Sequence, residues 1–201
     1  KVQGFDQNEP SEPVLFPKLP SAIIGPDEPI YLPAILADYA FSDERTDYEG
    51  ELAVIIGEGG KDISVGDAFD HVLGYTCAND ISQRNIQNGD RSGWFRGKSF
   101  DTFLPLGPQV VGAQTLSDIQ ALSIRTRRNG TVVQDGNTAQ MIFSVAETIA
   151  FVSRNFTLET GDVILTGTPA GIGPLVHGDV VEVDIEGIGI LSNPVIDPRK
   201  V

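Results

Sequence analysis

The chain has 201 residues, of which 40% are hydrophobic and 21% charged, so it can form one domain with a buried core and is not predominantly disordered. Its formal net charge of −14 excludes a basic footprint for nucleic acid and disfavours anionic membrane surfaces. The 22 glycines and 13 prolines favour short strands and turns over long helices.

The N-terminal part of the chain is rich in proline and acidic residues. Residues 1–33 are therefore predicted to form an extended N-terminal arm, and residues 34–201 the main domain. Within the arm, residues 14–16 are a candidate short strand, and Gly25-Pro26 marks a turn.

Two elements are predicted next along the chain. Residues 53–57 are a compact apolar run typical of a buried strand, with Glu49 and Glu51 at its beginning. Ser64 is expected to cap a short helix, because the apolar residues that follow it have helical spacing: Val65, Ala68, Phe69 and Val72.

A second buried strand is predicted at residues 73–78, which places Asp80 just beyond its end. Asp80 is also a candidate N-cap for a short helix that carries Arg84 and Gln87.

The C-terminal half contains the clearest local signals. Residues 123–134 predict a hairpin with Asn129-Gly130 as its two-residue turn. Ser144 and Glu147 have capping-box spacing ahead of a helix that extends to about Ser153. A half-buried strand follows, in which Val181, Val183 and Ile185 alternate with the acidic residues Glu182, Asp184 and Glu186. The pattern predicts an α+β fold that is mainly β, with a few short helices.

Glu49 and Glu51 are the first candidates for chemistry. In a strand, residues two apart project from one face about 6–7 Å apart, so both carboxylates point the same way at the edge of a buried segment. Burial of two like charges requires a cation, and oxygen ligands suit Mg²⁺, Mn²⁺ or Ca²⁺. The alternative is a solvent-exposed strand face, which explains most such pairs.

Four segments occur in this order: DYEGELAVIIG, GYTCANDISQRNIQ, RGKSFDTFLPLGP and GDVILTGTPAGIG. Together with FPKLPSAIIGPDEPI before them and GDVVEVDIEGIGILSN after them, they closely resemble the fumarylacetoacetate hydrolase family over nearly the whole chain. The resemblance implies a β-roll of mixed sheets, a homodimer and one Mg²⁺ or Mn²⁺ ion per subunit, with Ca²⁺ as a possible substitute. It also implies Glu49, Glu51 and Asp80 as the metal ligands.

The same resemblance assigns polar residues to the substrate. It implies that Arg84 and Lys98 hold substrate oxygens and stabilise an enolate, with surface cations or salt bridges as the alternative. Gln87 and Thr168 match further substrate contacts, although the segment around Thr168 is equally consistent with a tight turn. Lys18 is expected either at the rim of the pocket or on the surface.

One family feature is missing from the sequence. Relatives resemble one another in an N-terminal lid helix with an H-x-x-E pair, whereas Glu9 and Glu12 have no histidine three residues earlier. We expect the lid to lie upstream of Lys1; otherwise the catalytic base is supplied differently or the chemistry needs none.

The resemblance supports several reactions. The leading hypothesis is hydrolytic or decarboxylative C–C cleavage of a small 2-oxo or 1,3-dicarbonyl acid through a metal-bound enolate. The alternatives are tautomerisation, isomerisation or dehydration of a similar acid, and an inactive metal-binding scaffold. With no apolar run near the about 20 residues that span a bilayer, the expected location is the cytoplasm, or an organelle if a targeting segment has been removed.

Overall fold

The computed structural model describes residues 10–89, 91 and 94–201, and the described chain is mainly β. Residues 1–9 of the predicted arm, including Glu9, lie outside this part. The strands are β1 (Ile23–Ile24), β2 (Ile30–Tyr31), β3 (Thr46–Tyr48), β4 (Gly50–Ile56), β5 (Val72–Asn79), β6 (Ser82–Gln83), β7 (Leu104–Gly112), β8 (Ser123–Arg128), β9 (Thr131–Asn137), β10 (Val163–Leu165), β11 (Gly173–Pro174), β12 (Val180–Ile185) and β13 (Gly189–Ile196). The α-helices are α1 (Arg84–Gly89), α2 (Phe95–Lys98) and α3 (Val145–Asn155).

The described strands form three sheets. The first has the order β1-β7-β5-β4-β10, the second β11-β3-β6, and the third β2-β13-β12-β8-β9. Both β1 and β2 lie within the predicted arm, where β1 pairs with β7 and β2 with β13. The boundary at residue 33 stays a prediction, but these residues add strands to two sheets of the main domain.

The fold class, the 123–134 hairpin and the α3 helix are confirmed. At the hairpin turn, Asn129 and Gly130 both have positive φ, as a two-residue turn between right-twisted strands requires. Ser144 and Glu147 form both hydrogen bonds of the capping box at the start of α3. Along β12, Val181, Val183 and Ile185 are buried, and Glu182 and Asp184 between them are partly exposed.

Three local predictions are wrong: the strand at residues 14–16, the helix after Ser64, and Asp80 as a helix cap. Residues 14–16 do not belong to a strand. Ser64 bonds Asp67 in a turn, and only a short 3-10 helix, Ala68–His71, follows before the chain enters β5. Val65 and Phe69 are 51% and 41% exposed, so the helical spacing there does not correspond to a buried face.

Asp80 is not a helix cap, because β6 separates it from α1. Helix α2 packs closely on α1 because Gly97 has no side chain: a Cβ there would lie 2.7 Å from the backbone nitrogen of Gln87. This close approach brings Lys98, the last residue of α2, towards the end of β5. In the described residues, no helix is long and apolar enough to cross a membrane.

Candidate metal centre and active site

Three acidic side chains converge where β4 and β5 meet. Glu49 joins β3 to β4, Glu51 lies within β4, and Asp80 follows β5. Because Gly50 pairs with Asn79 in the antiparallel ladder, and the Asp80 N–H donates to the Glu49 carbonyl at 2.8 Å, the three residues share one sheet end. One carboxylate oxygen from each lies within 4.8 Å of the others, and all three residues are at most 4% exposed.

Close backbone packing fixes this sheet end. A Cβ at Gly50 would lie 2.1 Å from the Thr126 hydroxyl, so the strand passes β8 at a distance that only glycine permits. The Gly50 N–H donates to Gln134 Oε1 at 3.0 Å, and the Glu49 N–H donates to Asn79 Oδ1 at 2.9 Å. The backbone that carries the carboxylates is therefore held on both sides.

Lys98 lies between two of the carboxylates. Its ammonium donates to Glu49 Oε2 at 2.6 Å and to Asp80 Oδ2 at 2.7 Å. Burial alone would lower the pKa of Lys98, but the charges of Asp80 and Glu49 outweigh it and raise the pKa above its usual value. Lys98 is therefore a charged, almost fully buried cation whose position is set by the acidic cluster.

Lys18 also reaches the site, and its interpretation as a surface lysine is wrong. Its side chain is 6% exposed, and its ammonium donates to Asp80 Oδ1 at 2.5 Å and to the Lys98 carbonyl. Burial lowers the pKa of Lys18, although Asp80 opposes the shift. The two lysines together hold the pKa of Asp80 below its usual value despite its burial.

Arg84 and Gln87 meet on α1. The Arg84 guanidinium donates to Asp47 Oδ2 at 2.8 Å, to Glu49 Oε1 at 2.5 Å and to Gln87 Oε1 at 2.9 Å. The contact with Gln87 joins residues three apart on one helix face. Both predicted substrate contacts thus belong to the same network as the carboxylates.

Thr168 lies at the edge of the cluster. Its hydroxyl donates to the Gly50 carbonyl at 2.9 Å and accepts from Gln134 at 2.8 Å, which makes it part of the turn that supports β4. Its neighbour Gly167 donates a backbone N–H to Glu51 at 2.6 Å. A substrate role for Thr168 stays a prediction.

Glu51 differs electrostatically from the other two acids. Burial, together with the negative charges of Asp80 and Glu49, raises the pKa of Glu51 well above its usual value. A divalent cation among the three carboxylates would remove this repulsion, and buried carboxylate oxygens are the ligands that hard cations prefer. The residues present therefore fit a metal ion, which Glu49, Glu51 and Asp80 could hold.

Sequence reasoning missed Asp47. It is fully buried and bonds both Arg84 and Arg45. The signal was available, because Asp47 lies two residues before Glu49 and extends the E-x-E pair to D-x-E-x-E. The partnership with Arg84 was not visible, since 37 residues separate the two in sequence.

Other candidate groups lie outside the network. His71 Nδ1 contacts the Glu58 carbonyl at 2.7 Å, and His177 Nδ1 accepts from the Asp197 N–H. Cys77 is completely buried, and burial raises the pKa of its thiol to about 12. These contacts are consistent with structural roles.

Known proteins resemble this chain over most of its length. It is 46% identical over 197 residues to the mitochondrial oxaloacetate tautomerase of Xenopus laevis, a match that covers 93% of this chain and 59% of that protein. The crystal structure of 5-carboxymethyl-2-hydroxymuconate delta-isomerase from Mycobacterium smegmatis is 41% identical with a TM-score of 0.86, covering 98% of this chain and 74% of that one. Fumarylacetoacetate hydrolase from Exiguobacterium antarcticum is 44% identical with a TM-score of 0.83, covering 92% and 66% respectively.

The chain spans less than two thirds of the tautomerase, so that protein's activity does not transfer automatically. The assignment of this chain to a family rests on a different comparison. A model described as the C-terminal part of fumarylacetoacetate (FAA) hydrolase matches residues 2–196. With nearly every residue inside that match, this chain belongs to the fumarylacetoacetate hydrolase family.

Proposed function

We propose that this protein is a divalent-metal enzyme that converts a small 2-oxo acid through its enolate, by keto–enol tautomerisation or double-bond isomerisation. The observation that carries the proposal is the buried cluster of Glu49, Glu51 and Asp80 in direct contact with Lys98 and Arg84. Fixed charges shielded from water stabilise a developing oxyanion far more than exposed charges do.

The cations suit an anionic substrate. The Lys98 ammonium carries three N–H donors, two of which bond Glu49 and Asp80, so the third can donate to a substrate oxygen. Arg84 adds a planar fork suited to a carboxylate. When bound, Mg²⁺ or Mn²⁺ at Glu49, Glu51 and Asp80 would polarise the 2-oxo group and neutralise charge. Lys18 and Gln87 would hold Asp80 and Arg84 in place.

Two relatives support tautomerisation or isomerisation: one is named an oxaloacetate tautomerase and another a hydroxymuconate isomerase. The second candidate is C–C cleavage, our leading expectation from the sequence. It is favoured by the 44% identity to a fumarylacetoacetate hydrolase and would use the same enolate. Tautomerisation or isomerisation is therefore the first candidate reaction and C–C cleavage the second.

One NMR experiment separates the two. The protein is incubated in D₂O with Mg²⁺ and either oxaloacetate or an acylpyruvate, and C3 deuteration and pyruvate release are followed together. Enzyme-dependent deuteration that exceeds pyruvate release supports tautomerisation, whereas matched pyruvate release moves the assignment to cleavage. A metal-loaded protein that accelerates neither reaction contradicts the proposal.

The assembly and the compartment are separate proposals. The family resemblance supports a homodimer, which light scattering coupled to size-exclusion chromatography would test by a mass twice the 21.5 kDa of the chain. A cytoplasmic location stays a prediction, since the Xenopus relative is named as mitochondrial.

A further inference from the structure

We infer that Asp47, clamped by Arg45, is a positioning residue that sets the orientation of the Arg84 guanidinium towards the substrate. The inference rests on the proposed function, because it assumes that Arg84 contacts a substrate oxygen. It concerns a residue outside the three proposed ligands, and its contacts are with arginine side chains.

The backbone of Asp47 is held in the middle of a sheet. It lies in the middle of β3, it is completely buried, and its backbone pairs with both Ser82 and Pro174. Its two carboxylate oxygens are divided between two arginines: Oδ1 accepts from Arg45 Nε and Oδ2 from Arg84 Nε, each at 2.8 Å. Since Arg45 holds one oxygen, the other is held facing Arg84.

The contact with Asp47 completes a three-sided restraint on Arg84. Asp47 holds Nε, Glu49 holds Nη2, and Gln87 holds Nη1. Glu49 would also serve the metal, and Gln87 is a neutral acceptor on a six-residue helix. Asp47 is therefore the charged restraint that is independent of metal binding. A guanidinium carries five N–H groups in one plane, so fixing three bonds fixes the direction of the remaining two.

Orientation matters because an arginine binds a carboxylate through two parallel bonds only when the planes match. Loss of the Asp47 contact would let the guanidinium rotate and weaken ligand binding without altering the three carboxylates. A purely structural ion pair, by contrast, would affect folding and leave the affinity for ligand unchanged.

The test uses Mn²⁺ and oxalate, which carries two adjacent carboxylates and mimics a 2-oxo acid. In the full chain, Asp47→Asn is expected to weaken oxalate binding to the Mn²⁺-loaded protein about tenfold and to change Mn²⁺ affinity less than about twofold. In an Arg84→Met background, Asp47→Asn is expected to have no further effect on oxalate, because the group that it orients is gone.

Asp179→Asn is the matched control. Asp179 is 4% exposed and accepts from Arg128 Nε at 2.8 Å, but its side-chain partners, Arg128, Asn129 and Val176, lie outside the network. This variant is expected to lower the melting temperature and leave oxalate affinity unchanged. If Asp47→Asn fails to fold, Arg45→Gln removes the other half of the clamp, and we expect about threefold weaker oxalate binding that again requires Arg84.

Unchanged oxalate affinity in Asp47→Asn, or an equal loss in the Arg84→Met background, would overturn the inference. Failure of the proposed function has a different signature: a wild-type protein that binds no Mn²⁺ or has no metal-dependent activity. If the wild-type protein binds Mn²⁺ and is active, but Asp47→Asn leaves the oxalate affinity unchanged, only the positioning role of Asp47 is overturned.

Discussion

Two strands of this protein carry the same sequence pattern of acidic residues two positions apart, with opposite outcomes. Glu49 and Glu51 at the start of β4 are buried with Asp80, whereas Glu182 and Asp184 on β12 stay partly exposed. Asp184 pairs with Arg127 at 2.9 Å, and their side chains are 28% and 25% exposed. On β12, Asp184 has one arginine partner and solvent, whereas in the buried cluster Glu49 and Asp80 are bonded by two lysines and Arg84.

The difference lies in what covers each strand. The acidic face of β12 is turned away from the core, so water screens its charges. At the beginning of β4, Gly50 pairs with Asn79 at the end of β5, and Arg84 of α1 and Lys98 of α2 bond the buried Glu49, so the charges there interact strongly. The same spacing thus produces a solvated surface in one place and a candidate metal centre in the other.

The largest expected effect comes from removing a carboxylate of the buried cluster. Glu51→Gln should abolish measurable Mn²⁺ binding and lower turnover by about 10³-fold, because several kcal/mol of charge stabilisation are lost. Isothermal titration and the NMR assay measure the two quantities. Glu182→Gln on β12 is the control and should change neither; full turnover in Glu51→Gln would remove the distinction between the strands.

Lys98→Met should have the next largest effect. It removes the buried cation between Glu49 and Asp80, and we expect turnover to fall about 10²–10³-fold. Without metal, unfolding in urea should also show a loss of about 3–5 kcal/mol, because two buried carboxylates lose a partner. Arg127→Met on β8 is the matched change, because it removes the ion-pair partner of Asp184 on β12. If it costs as much as Lys98→Met, burial does not decide the strength of these ion pairs.

The raised pKa of Glu51 gives a pH-dependent prediction for the metal-free protein. A carboxyl with a raised folded-state pKa contributes stability below its unfolded pKa, and this contribution is lost as pH rises through the folded pKa. In EDTA, wild type should therefore lose stability relative to Glu51→Gln as pH increases. Each 1 kcal/mol shifts the melting temperature by about 2–4 °C. If the difference in melting temperature between wild type and Glu51→Gln is independent of pH between 5 and 9, the raised pKa of Glu51 is contradicted.

The smallest effect is expected at the partly exposed ion pair between β8 and β12. Asp184→Asn breaks the pair with Arg127, and the free energy of unfolding should change by less than about 1 kcal/mol, because exposed ion pairs contribute little. Urea denaturation measures this change, with added salt reducing it further. A loss comparable to that of Lys98→Met would show that the β12 pair is not a solvated surface contact.

Sequence patterns predicted those parts of the protein that depend on local rules. The Asn129-Gly130 turn, the capping box of α3 and the alternation along β12 each involve neighbours in sequence. The prediction of a helix after Ser64 was wrong because the same apolar spacing also suits a turn and a short 3-10 helix that lead into β5. Local patterns could not decide between the pocket and the surface for Lys18, because its contact with Asp80 spans 62 residues.

In the candidate site, too, the sequence predicted some features and not those that depend on long-range contacts. Glu49, Glu51 and Asp80 could be proposed from strand geometry and family resemblance, and they converge. The electrostatic environment could not be predicted, because it depends on which cations packing brings to each carboxylate. Asp47 looks like an ordinary strand residue until β6 and α1 place Arg84 beside it.

The most direct test of the central claim compares Mg²⁺-dependent C3 deuteration of oxaloacetate in wild type and Glu51→Gln, both corrected for the reaction without protein. We predict that wild type accelerates the exchange, that EDTA abolishes the acceleration, and that Glu51→Gln shows none. Equal acceleration by both proteins, or acceleration that persists in EDTA, would contradict the account.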